Sequence, residues 1–288
     1  NEELLSGFHS VGQMNHAMLC VPMKSDTLWI ECTNARYPLG YRHSSIAGHQ
    51  VLLVKEEGGE MVRVSDYPDS LRLKSETVDV ELMADGTAVC KGQRRLVLNN
   101  VEPYIGFRSL DAKAQFRAIM SGNSFNPTDF TILSVEDNFN DWTSMEPDEE
   151  YIPELRIRYS YTVKDYAKAA GDRIFMDMNP FAKKLYSDRS PRINDMVINS
   201  ETTLSDTVRI NLPAGYIPES LPASGIVESQ FGCLATEVTQ SEDQSVVTIV
   251  QTFRFYPGRF PKEVYADYRT FARSVSRIYD AKIVLVRK

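Results

Sequence analysis

The chain has 288 residues, 42% of them apolar and 25% charged, with a formal net charge of −7. That is enough apolar material for one large or two ordinary globular domains. The charge balance, with no concentrated basic patch, argues against a nucleic-acid surface. No apolar run approaches the ~20 residues of a membrane span. The first residue is Asn and no signal peptide precedes it, so the chain reads as processed or cut from something longer.

All four histidines, His9, His16, His43 and His49, fall in the first 49 residues. Residues 14–22 and 26–33 each read as a strand, separated by the short polar break Met23 to Ser25. Strands joined so closely pair antiparallel. Period-two parity places His16, Met18 and Cys20 on one face of the first strand, and Trp29, Glu31 and Thr33 on one face of the second. His16 and Glu31 are therefore expected side by side. A histidine oriented by a carboxylate forms two-thirds of a nucleophile–base–orienter triad. The nucleophile is the missing part.

A Gly/Pro-marked turn, residues 36–41, follows. Gly58-Gly59 between the strand-like runs 50–54 and 61–64 predicts a hairpin. Residues 65–70 are polar and turn-rich, and they set a boundary between units 1–68 and 69–288. Short strands dominate the second unit. Residues 77–82 and 87–90 flank an Asp85-Gly86 hairpin turn. Residues 110–120 form a modest amphipathic helix. Residues 155–163 alternate Leu155, Ile157, Tyr159, Tyr161 and Val163 with Arg156, Arg158, Ser160 and Thr162, as in a strand with one wet face. Pro261 opens the best helix, to about Tyr279, with Val264, Tyr268, Phe271, Val275 and Ile278 as its apolar stripe and Arg269, Arg273 and Arg277 opposite. The last strand, 282–286, is expected to meet that stripe with Ile283 and Leu285. The fold class is mainly β (α+β), ending in an antiparallel β-sandwich-like domain with one long C-terminal helix.

Other chemistry is poorly supported by spacing. Cys20, Cys32, Cys90 and Cys233 show no CxxC pattern and read as small buried hydrophobes. The histidine spacings fit no zinc motif, so no metal and no cofactor are expected. Residues 118–155 hold nine acids and no Lys or Arg, but Phe139 stands where a calcium loop needs a ligand, so this is read as a solvated acidic loop.

Residues 13–18 (Gln-Met-Asn-His-Ala-Met), 26–33 (Asp-Thr-Leu-Trp-Ile-Glu-Cys-Thr) and 38–41 (Pro-Leu-Gly-Tyr) resemble the end of a transglutaminase-like, papain-like core. Proteins of this kind are large bacterial proteins in which β-sandwich domains flank the core. The resemblance implies that His16 is the catalytic base and that Glu31 holds the acid position, where Asp is usual. It also implies that the nucleophilic cysteine lies upstream, on a helix N-terminus that lowers its pKa. Cys20 and Cys32 lie on the wrong elements for that role. Residues 70–288 are similar to the C-terminal region of the same proteins in overall pattern only. The implied partners are the upstream part of the same protein and a protein or peptide substrate, in a secreted or periplasmic setting. This chain alone should be inactive. The alternative is a non-catalytic β-sandwich binding or structural module with a degenerate core remnant.

Overall fold

The computed structural model describes residues 11–14, 16–24, 27–121, 125–139, 151–179, 185, 192–199 and 202–288. The described residues are mainly β, at 49% strand and 17% helix, with several sheets and no closed barrel among them. The strands in chain order are β1 Met18–Pro22, β2 Thr27–Glu31, β3 Gln50–Lys55, β4 Gly58–Arg63, β5 Leu73–Leu82, β6 Ala88–Val97, β7 Thr128–Asp137, β8 Glu154–Val163 and β9 Ala167–Ala170. They continue with β10 Arg173–Asp177, β11 Met196–Ile198, β12 Thr202–Asn211, β13 Tyr216–Ser220, β14 Gly225–Ser229, β15 Gly232–Gln240, β16 Val246–Phe255, β17 Gly258–Phe260 and β18 Lys282–Arg287. The helices are α1 Ala112–Met120 and α2 Tyr265–Tyr279. No helix among the described residues is long and apolar enough to cross a membrane.

The chain forms two compact units. The first comprises Asn1–Arg72 with Leu96–Ser109 and Glu136–Leu155, and the second comprises Leu73–Arg95, Leu110–Val135 and Arg156–Lys288. In the first unit, β1–β2 and β3–β4 are separate antiparallel hairpins. The β3–β4 turn is made by Glu56 and Glu57, and the glycines instead open β4, where Gly58 has φ +131°. Asn138 ties the end of β7 to the start of β8: its Oδ1 accepts from the Glu154 amide at 2.8 Å and its Nδ2 donates to the Ile152 carbonyl at 2.9 Å. That is a structural use of part of the acidic segment. Asp141, Glu146, Asp148, Glu149 and Glu150 lie outside the described residues.

The second unit is built on an eight-stranded sheet, in the order β14-β15-β16-β12-β5-β6-β8-β7. Antiparallel pairing dominates, but β5 and β12 run parallel. Alternation along the strands buries one face. On β8, Leu155, Ile157, Tyr159, Tyr161 and Val163 are buried while Arg156 and Arg158 are exposed, as period-two patterning requires. The Asp85-Gly86 turn forms as expected: Gly86 has φ +90°, and a Cβ there would meet the Ala167 carbonyl oxygen at 2.1 Å.

A polar row crosses this otherwise apolar face. Gln251 pairs in register with Thr236 on one side and Asp206 on the other, and Asp206 pairs with Glu76. The Arg94 Nε donates to Glu76 at 2.6 Å, and the Tyr159 hydroxyl reaches the other Glu76 oxygen. Asn179 donates to both Asp206, at 3.0 Å, and Gln251, at 2.9 Å. Buried polar groups are tolerable only when partnered in this way. Burial raises the Asp206 carboxyl to about 6, against the lowering effect of the Asn179 hydrogen bond.

A four-stranded sheet, β13-β18-β10-β9, completes the unit together with the β11–β17 pair. The α2 stripe is buried. Phe271 and Val275 pack in a cluster with Phe231, Leu234 and Phe253 of the β15–β16 end of the large sheet, and with Phe260. Ile283 and Leu285 are fully buried in β18, in the smaller sheet. The cysteine reading also needs correction: Cys90 is buried, Cys20 and Cys233 are half-buried, and Cys32 is exposed.

Candidate active site

The first hairpin positions the candidate residues. Met18 pairs with Glu31 across β1 and β2, and His16 precedes Met18 by two residues, so the two share a face. The His16 Nε2 lies 2.6 Å from Glu31 Oε2. The Glu31 side chain is 3% exposed and that of His16 is 27% exposed, so the pair has a sheltered acid and an accessible imidazole. Asn15, which precedes this histidine, lies outside the described residues.

The residues after β2 fix the acid. Glu31 Oε1 accepts from the Thr33 amide and the Thr33 hydroxyl, each at 2.5 Å, and from the Asn34 amide at 3.2 Å. Desolvation by burial pushes the carboxyl up, but the two Thr33 hydrogen bonds and His16 outweigh it and hold the group down at about 2. Glu31 is thus a fixed anion across the physiological range. Bonding through Nε2 leaves Nδ1 as the ring nitrogen that can exchange a proton with a reacting group.

A third member of the cluster has no signal in the sequence pattern. His43 Nε2 lies 3.0 Å from the same Glu31 Oε2, its side chain 7% exposed. Its Nδ1 is 2.7 Å from Ser45 Oγ. The His16 and His43 rings meet edge to face at 5.4 Å, and Tyr37 stacks on His43 at 5.2 Å. Burial lowers the His43 pKa, opposed by the Glu31 and Glu102 charges. The loop that carries His43 is held by Glu102, which accepts from the Tyr41 hydroxyl at 2.8 Å and from the Ser44 amide and hydroxyl at 2.6 Å each. Gly40, with φ +78°, makes the turn into that loop.

Among the described residues, His49 is not part of the cluster. His49 turns its Nδ1 to the Ala47 carbonyl at 3.0 Å, and His9 lies outside the described residues. The Cys32 thiol donates to the Ile30 carbonyl at 3.4 Å. It follows Glu31 directly, in the bend just beyond the end of β2.

A family model described as a domain of unknown function with a solved structure, DUF3858, matches residues 172–285, the stretch from the start of β10 into β18. No curated protein matches the chain. Among solved structures, the chain is similar to one described as a "putative protease" from Parabacteroides distasonis ATCC 8503, at 13% identity and a TM-score of 0.26. That match covers 65% of this chain and 36% of that one.

Proposed function

We propose that residues 11–68 carry the base and the acid of a Cys-His-Glu acyl-transfer centre in a transglutaminase-like protein, the nucleophilic cysteine being supplied by an upstream segment of the same protein. The observation that carries this reading is the 2.6 Å contact between His16 Nε2 and a Glu31 carboxylate whose second oxygen is held by Thr33 and Asn34. It is supported by the resemblance of residues 13–41 to the end of such a core. In this reading a thiolate attacks an amide carbonyl of a protein or peptide substrate. His16 then delivers the proton through Nδ1 to the departing amine, leaving an acyl-enzyme that water or a second amine resolves. Glu31 fixes the imidazole tautomer and stabilises the imidazolium. The mostly β remainder is a docking or supporting module, and the setting is secreted or periplasmic.

The test uses the intact gene product. A glutamine-containing peptide should be turned over with a thiol-dependent rate. His16→Ala should abolish turnover by about three orders of magnitude or more, and Glu31→Gln should lower it less. The 288-residue chain alone should show no thiol-dependent amidase activity. Undiminished turnover in His16→Ala would overturn the reading and favour a non-catalytic module. Turnover by the chain alone that is lost in Cys20→Ser or Cys32→Ser would relocate the nucleophile.

A further inference from the structure

We infer that His16, Glu31 and His43 together form a binding site for a divalent first-row transition cation of the zinc class. Their ligand atoms all lie within 4.8 Å of one another. Two imidazole nitrogens and one carboxylate oxygen are a donor set that zinc accepts, and a site with three protein ligands keeps one position open. The nitrogen-rich set disfavours magnesium and calcium, which take oxygen.

Three features go beyond proximity. First, Glu31 presents one oxygen to both histidines because the other is committed to Thr33 and Asn34. Orienting the general base requires a single imidazole; the second one, buried against the same oxygen, adds nothing to that task. Second, Ser45 Oγ lies 2.7 Å from His43 Nδ1, where the hydroxyl can serve as the outer partner of a ligating histidine: once a cation takes Nε2, the ring proton sits on Nδ1 and donates to the hydroxyl. Third, the dimensions suit the ion. Ligand atoms about 2.0–2.2 Å from a tetrahedral zinc are roughly 3.3 Å apart. His43 and His16 lie 3.0 and 2.6 Å from Glu31 Oε2, and all three ligand atoms lie within 4.8 Å of one another, a spread that side-chain rotation brings to the spacing of a bound ion. The partial exposure of His16 leaves one side of the cluster open for entry and for a fourth ligand.

One consequence rests on the acyl-transfer reading proposed above. A cation on His16 Nε2 leaves the imidazole proton on Nδ1, where the thiol proton would have to be received. Bound metal therefore switches the base off.

The binding claim is tested without an activity assay. The chelator-stripped 288-residue chain is titrated with ZnCl2 by calorimetry near pH 7.5. One equivalent should bind with a Kd in the micromolar range or tighter, while MgCl2 and CaCl2 give no saturable heat. His43→Ala and Glu31→Gln should each weaken binding at least tenfold, and Cys20→Ser and Cys32→Ser should leave it unchanged. Ring 15N spectra of the wild-type chain need no variant: zinc should shift Nε2 of His16 and His43 and leave His49 in place. Absence of saturable binding, full affinity in His43→Ala, loss in a cysteine variant, or shifts confined to His9 or His49 would each overturn the site. Zinc binding can fail while His16→Ala still abolishes turnover by the intact protein; the metal inference then falls and the acyl-transfer reading stands.

Discussion

Thr33 gives both its backbone amide and its hydroxyl to the Glu31 oxygen that faces away from His16, each at 2.5 Å. One small residue, two positions beyond the acid, thereby decides which carboxylate oxygen the imidazole meets. Thr33→Val keeps the shape and the amide bond but deletes the hydroxyl. In the intact protein this should lower kcat about tenfold with little change in KM, the usual scale for losing an outer-shell partner. The Glu31 carboxyl should rise from about 2, observable by following its side-chain carbon resonance through an acid titration. An unchanged Glu31 titration would show that the hydroxyl does not hold the acid.

The α2 stripe gives a contrast within one helix. Phe271 is 4% exposed and lies 6.2 Å from Phe253 and 6.4 Å from Phe231, ring to ring. Phe271→Ala should cost about 3–5 kcal/mol of stability, as large aromatic truncations in a core do. Arg273 is exposed and donates within its own helix, to the Arg269 carbonyl at 3.3 Å and the Thr270 hydroxyl at 3.1 Å. Arg273→Ala should cost under ~0.5 kcal/mol. Urea denaturation of both variants measures the difference, and equal small losses would mean that the helix is not docked.

Gly92 on β6 lies directly beneath Tyr159, where an added Cβ would come within 2.3 Å of the ring carbon Cζ. The tyrosine needs that gap to cross the strand and reach Glu76. Gly92→Ala should therefore destabilise by about 1–3 kcal/mol through overpacking. The same substitution in a Tyr159→Ala background should cost far less, because the clashing atoms are gone. A double-mutant cycle on unfolding free energies reads the coupling directly.

Asp206 provides a pH signature. Burial raises its folded-state pKa to about 6, with Asn179 lowering it, Glu76 raising it, and Lys74 and Arg94 lowering it. The unfolded value is near 3.9. A raised carboxyl favours the folded state while protonated. Its contribution is therefore complete below about pH 4 and is lost as the pH rises through about 6. Asp206→Asn removes the charge and should be more stable than the wild type at pH 7.5, by on the order of 2 kcal/mol. The gap should close by pH 4. Paired denaturation curves at the two pH values test this, and a gap that widens on acidification would reverse the assignment.

Some of this was legible in the residues alone. The His16–Glu31 pairing followed from a short connection and period-two parity, because so few residues between strands permit only an antiparallel neighbour. The wet and dry faces of β8, the Asp85-Gly86 turn and the apolar stripe of α2 were equally local, each written within about 20 residues. Tertiary structure decided what depends on distant segments. His43 reaches Glu31 because Glu102, 59 residues farther on, holds its loop through Tyr41 and Ser44, and no periodic pattern marks a loop residue for such a role. Asp206 meets Glu76 because β12 lies parallel to β5, a pairing between strands 130 residues apart. The stripe of α2 showed that the helix must be covered but not by what: burial is non-directional, and the stripe packs with the apolar ends of β15 and β16.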